Sequence, residues 1–140
     1  MKHIIKTHAL YLAWLISLLG LLCSVFFGEF LHNEPCHLCW YQRICLFPLA
    51  LILGIAAYKE DARIVTYALP LAFFGTLFAF YQVLSIFLPS MRMPALCGYK
   101  TECSENLIEL WGFLSFPMVS LLGFFLIIFF LWTAKSASKP

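Results

Sequence analysis

The sequence predicts an all-α integral membrane protein, a four-transmembrane-helix bundle, from its composition and its charge-free windows. Of the 140 residues, 63% are hydrophobic and only 11% are charged, whereas a soluble domain carries about 25% charged residues. The apolar windows are long and lack the alternation of a barrel strand. Helices are therefore required, because an unpaired backbone group costs several kcal/mol inside lipid. The excess apolar surface needs membrane lipid as its partner. The net charge of +2, with no run of Lys or Arg, excludes nucleic acid.

Each predicted span corresponds to one of the four charge-free windows of the sequence. About 20 apolar residues cross the ~30 Å hydrocarbon core, and the second window approaches this length only when it includes residues 40–43. We expect the first span to be a retained anchor, because its apolar stretch exceeds the ~7–15 residues of a signal peptide and no A-x-A-like cleavage site follows. The whole chain, 1–140, is predicted to be a single membrane domain. Its spans are about 9–28, 40–58, 64–88 and 110–133.

The distribution of Lys and Arg predicts the orientation of the chain. Six of these residues lie on the side that carries both termini, and three lie on the other side. By the positive-inside rule, both termini are predicted to be cytoplasmic and the protein to lie in the cell membrane. Two short segments, about 29–39 and 89–109, are then extracytoplasmic. Disulfides persist on that side, and the two segments contain one cysteine pair each: Cys36 with Cys39, and Cys97 with Cys103.

Cys36 and Cys39 form a C-x-x-C motif at the start of the second span. This spacing allows the two sulfur atoms to bond. The N-terminal end of a helix stabilises a cysteine thiolate, which is the reactive form. Alone, the motif also fits half of a zinc site or a structural disulfide. His37 lies between the cysteines, where it fits a role in tuning the Cys36 thiolate as well as it fits a solvent-facing position.

Arg43 makes the motif more specific. It follows Cys39 by four residues and Cys36 by seven, so on a helix the three side chains share one face. An ionisable group at the edge of the hydrocarbon is costly and indicates a functional site. A guanidinium group there can stabilise a thiolate, a reduced quinone oxygen, or both. The alternative is an arginine that extends to lipid phosphates.

The remaining cysteines have different predicted uses. A disulfide between Cys97 and Cys103 would close a gap of only five residues and would constrain little chain entropy, which favours a reactive role over a structural one. Zinc sites usually combine two closely spaced pairs, so we predict no metal site from C-x-x-C and C-x5-C. Cys23 and Cys45 lie within spans and are expected to be small buried apolar residues. Lining a cofactor pocket is the less favoured alternative for Cys45.

The combination of these elements resembles a known family. Four spans, the run from Cys36 to Arg43 that opens the second span, and the pair Cys97 and Cys103 before the fourth resemble the disulfide bond formation protein B family (DsbB), in particular its small BdbC-like members. The resemblance implies a quinone-dependent membrane thiol:disulfide oxidoreductase, which uses menaquinone or ubiquinone. Its implied partner is an extracytoplasmic thioredoxin-like thiol-disulfide oxidase (DsbA/BdbD-like), which it reoxidises to support disulfide formation in exported proteins.

The resemblance also implies a role for each site residue. The partner would attack Cys97, and Cys103 would resolve the mixed disulfide and exchange with Cys36. Cys39 would pass electrons to the quinone, and Arg43 would lie beside the quinone ring. The second loop is shorter than in the larger family members, so the order of exchange stays open.

Two other functions fit parts of the sequence. One is a non-enzymatic tetraspan protein whose two disulfides are structural. The other is a vitamin K epoxide reductase-like enzyme, which also couples two cysteine pairs to a quinone. That family places its C-x-x-C late in the chain, whereas residues 36–39 lie between the first and second spans.

Overall fold

Four helices account for most of the chain in the computed structural model, which describes residues 1–30, 37–88, 90 and 116–139. The helices are α1 (Lys2–Phe30), α2 (His37–Lys59), α3 (Val65–Phe87) and α4 (Phe116–Ser138). Within the described residues, these four are long and apolar enough to cross a membrane. For these residues, the prediction of an all-helical fold with four helices able to span a membrane is therefore confirmed.

Two of the helices, α1 and α4, extend beyond the apolar windows that identified them. α1 begins at Lys2 and α4 continues to Ser138, because a helix can continue through polar residues once it has left the hydrocarbon. Residues 110–115, which belong to the fourth predicted span, lie outside the described residues.

A tight turn joins α2 to α3. Glu60 adopts a left-handed conformation with a φ of 53°, and the backbone N–H of Asp61 donates to the carbonyl of Ala56 at 3.2 Å. The Asp61 carboxylate then accepts from the backbone N–H of Arg63 at 2.9 Å and caps the 3-10 turn Ala62–Ile64. The Glu60 carboxylate lies 3.0 Å from His3 Nε2, so this turn contacts the beginning of α1.

The helices pack around a narrow apolar core. Each helix contacts its two neighbours in the cyclic order α1, α2, α3, α4. α3 presents small residues to the core, among them Ala68, Ala72 and Ala79, which are fully buried. Small residues allow helix backbones to approach closely, as in other membrane bundles. Large apolar side chains cover the outer surface, for example Phe73, Phe80, Phe125 and Phe129. Lipid covers such a surface in a multi-pass membrane protein.

Candidate functional site

The predicted site is described in part. Cys36, Cys97 and Cys103 lie outside the described residues. Cys39 is the third residue of α2, and Arg43 follows it by four residues on the same helix. At 1.5 Å of rise per residue, these two positions are separated by about 6 Å along the helix axis. The first turn of α2 therefore carries Cys39 at the end of the helix, and the next turn carries Arg43.

Arg43 joins α2 to α1. Its Nε donates to Ser24 Oγ at 2.8 Å, and its Nη2 donates to the backbone carbonyl of the same serine. Its Cζ atom also lies 5.6 Å from the centroid of the Trp40 ring, within the range of a cation–π interaction. The guanidinium group is thus held against α1 by neutral groups.

The positive charge of Arg43 has no acidic partner in the described part of the chain. The ion pairs found there, His3 with Glu60 and Asp61 with Arg63, lie at the opposite end of α2. A cation that is only partly solvated and paired with neutral oxygens stabilises negative charge that develops on a neighbouring group. Such a group can be a thiolate or the oxygen of a bound ligand.

A chain of two hydrogen bonds, one buried and one partly buried, connects α2 to α3 and α4. Gln42 Nε2 donates to Gln82 Oε1 at 2.6 Å, and Ser120 Oγ donates to Gln42 Oε1 at 2.8 Å. Gln42 is 7% exposed and Gln82 is 1% exposed. Two adjacent residues of α2 therefore connect it to different helices. Arg43 bonds to α1, and Gln42 bonds to α3 and α4.

A cavity of about 240 Å³ lies beside these residues, between α1, α2 and α4. Most of its wall is apolar and includes Leu19, Leu46, Phe124 and Ile127. The polar groups of the wall are those of Cys23, Ser24, Gln42, Arg43 and Ser120. An apolar cavity with a few converging polar groups is the usual form of a small-molecule site. The cavity thus combines a fixed cation with a small, mostly apolar space.

The two cysteines within the spans differ from each other. Cys45 is buried, as expected. Cys23 is exposed and lines the cavity, so the expectation that it is a buried apolar residue was wrong. The described lining of the cavity includes Cys23 but not Cys45, which agrees with the favoured expectation for Cys45. The helices are apolar on all sides, so the sequence does not indicate which face of α1 points inward.

The pairing of Gln42 with Gln82 was not predicted from the sequence. An isolated amide within an apolar helix is a signal for a buried hydrogen bond, because such a group is costly without a partner. The partner could not be identified, since the two residues are 40 positions apart in the chain. Among residues 1–30, 37–88 and 116–139, no group of three or more His, Cys, Asp or Glu residues could hold a metal ion.

Comparisons with known proteins agree with this architecture. A family model described as "Disulfide bond formation protein DsbB" matches residues 6–134. A probable disulfide formation protein of Chlamydia muridarum is 49% identical over 127 residues, which cover 91% of this chain and 92% of the relative. One from Coxiella burnetii is 41% identical over 131 residues, which cover 93% and 89% of the two chains. Probable disulfide formation protein C 2 of Bacillus anthracis is 40% identical over 129 residues, which cover 92% and 91%. No solved structure gives a significant match.

The fold and these similarities define a multi-pass membrane protein that takes part in disulfide formation. The chain belongs to the DsbB family of disulfide bond formation proteins. The resemblance found in the sequence is confirmed, including the similarity to a small Bacillus member. Membership implies disulfide-forming oxidoreductase activity, and the family is generally quinone-linked.

Proposed function

We propose that this protein is a quinone-dependent thiol:disulfide oxidoreductase that reoxidises an extracytoplasmic thioredoxin-like thiol oxidase. The observation that carries the proposal is the position of Arg43, which α1 fixes beside a mostly apolar cavity one helical turn from Cys39. Family membership supports it, because the oxidising state of the bacterial periplasm is maintained by a DsbA, DsbB and quinone relay.

The proposed topology places both termini in the cytoplasm and both cysteine pairs outside. The excess of Lys and Arg on the side of the termini supports it. In this proposal, the chain from 1 to 140 is one membrane domain, and Cys39 lies where α2 enters the outer leaflet. Labelling intact cells with a membrane-impermeant maleimide tests the orientation. Thiols at Cys97 and Cys103 should react after mild reduction, and reaction only after the cells are lysed would contradict the topology.

The residues around the cavity fit a quinone head group. The cavity, at about 240 Å³, is smaller than the ~300–1,000 Å³ of a site that encloses a drug-sized ligand. It therefore fits a ring while a long isoprenoid tail extends into lipid. Arg43 supplies positive charge, and Gln42 and Ser120 add polar groups to the same wall. A bound quinone supplies an acceptor for the two electrons and two protons that leave a dithiol when it becomes a disulfide.

In the proposed reaction, the cysteines move a disulfide by exchange. A thiolate of the reduced partner attacks the Cys97 sulfur, which breaks the Cys97–Cys103 bond and forms a mixed disulfide. Resolution of the mixed disulfide by Cys103, as the resemblance implies, would only re-form the Cys97–Cys103 bond and return the partner reduced. In the productive step, the partner's second thiolate attacks the partner's own sulfur in the mixed disulfide, which releases the oxidised partner and leaves Cys97 and Cys103 reduced. These two then reduce the Cys36–Cys39 disulfide by the same chemistry. Each exchange conserves the number of disulfides, so the net gain requires the acceptor beside Cys39.

The potentials explain why this acceptor is needed. A strongly oxidising thioredoxin-like partner has a reduction potential of about −120 mV, and ~30 mV corresponds to ~1.4 kcal/mol for a two-electron couple. The acceptor must therefore have a higher effective potential than the partner. Arg43 contributes in the right direction, because a fixed positive charge favours the more negative, reduced state of a neighbouring group.

Serine variants of the four cysteines test the proposed function. We expect Cys36→Ser, Cys39→Ser, Cys97→Ser and Cys103→Ser each to stop quinone-dependent oxidation of a reduced thioredoxin-like partner. The matched control is Cys45→Ala, which removes a buried cysteine outside the described lining of the cavity and should retain turnover. Full turnover by two or more of the serine variants would contradict the proposal. Disulfides that stay oxidised with excess reduced partner and no quinone would support the structural alternative.

A further inference from the structure

A second cavity lies at the end of the bundle that carries both termini. Its volume is about 440 Å³, and it is formed where the beginning of α1, the turn between α2 and α3, and the end of α4 meet. Its position and its lining separate it from the cavity beside Arg43. The lining residues are Lys6, Asp61, Ala62, Arg63, Thr66, Lys135, Ser138 and Lys139.

Four cations and one carboxylate line this cavity, which leaves three positive charges in excess. The carboxylate is already engaged, because Asp61 Oδ1 accepts from the backbone N–H of Arg63 at 2.9 Å and lies 3.8 Å from its Nε. The lysines come from two different helices, Lys6 from α1 and Lys135 from α4. Both are partly buried at the cavity wall. Like charges brought together in this way repel each other unless an anion occupies the space between them.

The position of the cavity in the bundle indicates which kind of anion it binds. Lys135 follows the exposed Trp132 by about one turn at the end of α4, and aromatic residues of this kind mark the level of the lipid headgroups. Basic pockets between transmembrane helices at this level bind the headgroups of anionic lipids. Thr66 and Ser138 add hydroxyl groups to the same wall, and hydroxyl groups can donate to phosphate oxygens.

We propose that this cavity binds the phosphate headgroup of an anionic phospholipid, held by Lys6 and Lys135 with Arg63 and Lys139 at its rim. The bound headgroup connects α1, the α2–α3 turn and α4 at a level where the apolar core has ended. A ligand that binds only the folded bundle also raises its stability by mass action.

The chain offers a matched control for charge. Lys2 and Lys59 lie at the same end of the bundle and are exposed, but the described lining of the cavity does not include them. Replacing Lys2 and Lys59 with glutamine removes the same net charge as replacing Lys6 and Lys135. If the basic end of the bundle only attracts anionic surfaces in general, the two double variants should lose affinity for the anionic lipid equally. If the cavity is a specific site, the variant of Lys6 and Lys135 should lose more affinity than the variant of Lys2 and Lys59.

The test measures retention of phosphatidylglycerol and phosphatidylcholine by the detergent-solubilised full chain, using native mass spectrometry. We expect the wild-type protein to retain phosphatidylglycerol in preference to phosphatidylcholine. Each lysine removed from the cavity should lower that affinity about fivefold, since a basic residue near an anionic headgroup contributes ~1 kcal/mol. Lys6→Gln with Lys135→Gln should therefore lose about 25-fold. Lys2→Gln with Lys59→Gln should lose less than about threefold, and Lys6→Arg with Lys135→Arg should keep the preference.

Three results would overturn the proposal. The first is equal retention of the two lipids by the wild-type protein. The second is an equal loss of phosphatidylglycerol by the two glutamine double variants, which would indicate general surface attraction. The third is displacement of the lipid by an equal concentration of inorganic phosphate, which would indicate a site for free phosphate. If Lys6→Gln with Lys135→Gln fails to fold, the test rests on the variant Lys6→Arg with Lys135→Arg, which keeps both positive charges. Loss of the lipid preference in that folded variant would contradict a site that requires two cations.

Discussion

Arg43 donates hydrogen bonds to both the hydroxyl group and the backbone carbonyl of Ser24, so the charged turn of α2 is fixed to α1 at the wall of the cavity. The guanidinium group cannot leave the cavity without breaking both bonds. This contact distinguishes Arg43 from a surface arginine. Under the proposed function, it gives Ser24 a positioning role that the sequence did not suggest.

Arg43→Ala should weaken quinone binding more than it weakens partner binding. Hydrogen bonds to charged groups contribute ~1.5–3 kcal/mol, so the apparent KM for quinone should rise at least about tenfold. The apparent KM for the reduced partner should change less than about twofold. Steady-state kinetics with each substrate titrated separately measure both values, and an unchanged KM for quinone would contradict the role of Arg43.

Ser24→Ala should produce a smaller change in the same direction. It removes the Nε–Oγ bond and leaves the bond from Nη2 to the Ser24 carbonyl. A hydrogen bond to a charged group contributes ~1.5–3 kcal/mol, but the second bond still holds Arg43 in place. We therefore expect only part of this energy to be lost, which corresponds to a rise of about two- to tenfold in the KM for quinone. A changed KM for the partner with an unchanged KM for quinone would show that Ser24 does not act through Arg43.

Gln42 and Gln82 should be energetically coupled. Interhelical hydrogen bonds in membrane proteins contribute ~0.6 kcal/mol on average and at most ~1.7. Gln42→Leu should therefore lower the free energy of unfolding in mixed micelles, and so should Gln82→Leu. The double variant should lose less than the sum of the two, because it removes both amides together. Strict additivity in this double-mutant cycle would mean that their hydrogen bond makes no net contribution.

Gly75→Ala should destabilise the bundle, whereas Gly123→Ala should not. A Cβ atom at position 75 would overlap the ring of Phe124 across the α3–α4 contact, whereas one at position 123 meets nothing within 4 Å. Overpacking costs ~1–3 kcal/mol, and alanine is otherwise preferred over glycine in a helix. Thermal unfolding in detergent measures both changes. Partial recovery in Gly75→Ala with Phe124→Leu would assign the cost to this contact, and equal stability of the two single variants would refute it.

Gly123→Leu should reduce quinone affinity with little loss of stability. Gly123 lines the cavity, so a larger side chain there occupies space assigned to the ring. The apparent KM for quinone should rise at least about tenfold. Ser136→Leu, at an exposed position near the end of the same helix, is the control and should leave this KM unchanged. Normal quinone kinetics in a folded Gly123→Leu variant would place the ring elsewhere.

Composition and hydropathy predicted the number and type of the helices. A long apolar segment that crosses a membrane must pair its own backbone N–H and C=O groups, and a helix does so. The spacing of Cys39 and Arg43 predicted a charged turn next to the motif, since the helical repeat determines which residues share a face. The sequence did not predict which helices Arg43 and Gln42 contact. Ser24 precedes Arg43 by 19 positions and Ser120 follows Gln42 by 78, and no local pattern encodes such pairs.

Cys23 illustrates the same limit. A soluble helix shows its buried face by the alternation of polar and apolar residues, but α1 is apolar on both its lipid-facing and its inward-facing sides. The sequence around Cys23 therefore does not indicate that this residue lines the cavity. Its position follows only from the packing of α1 against α2 and α4.

The most direct test is the stoichiometry of electron transfer in the full chain, purified with quinone and mixed with a reduced thioredoxin-like partner. Quinone reduction is followed by its ultraviolet absorbance, and the partner's thiols are counted by alkylation. We expect one quinone to be reduced for each pair of partner thiols oxidised, and no quinone reduction after Cys39→Ser. Partner oxidation without quinone reduction, or quinone reduction that continues without the Cys39 thiol, would contradict the proposed path from the cysteines to the cavity beside Arg43.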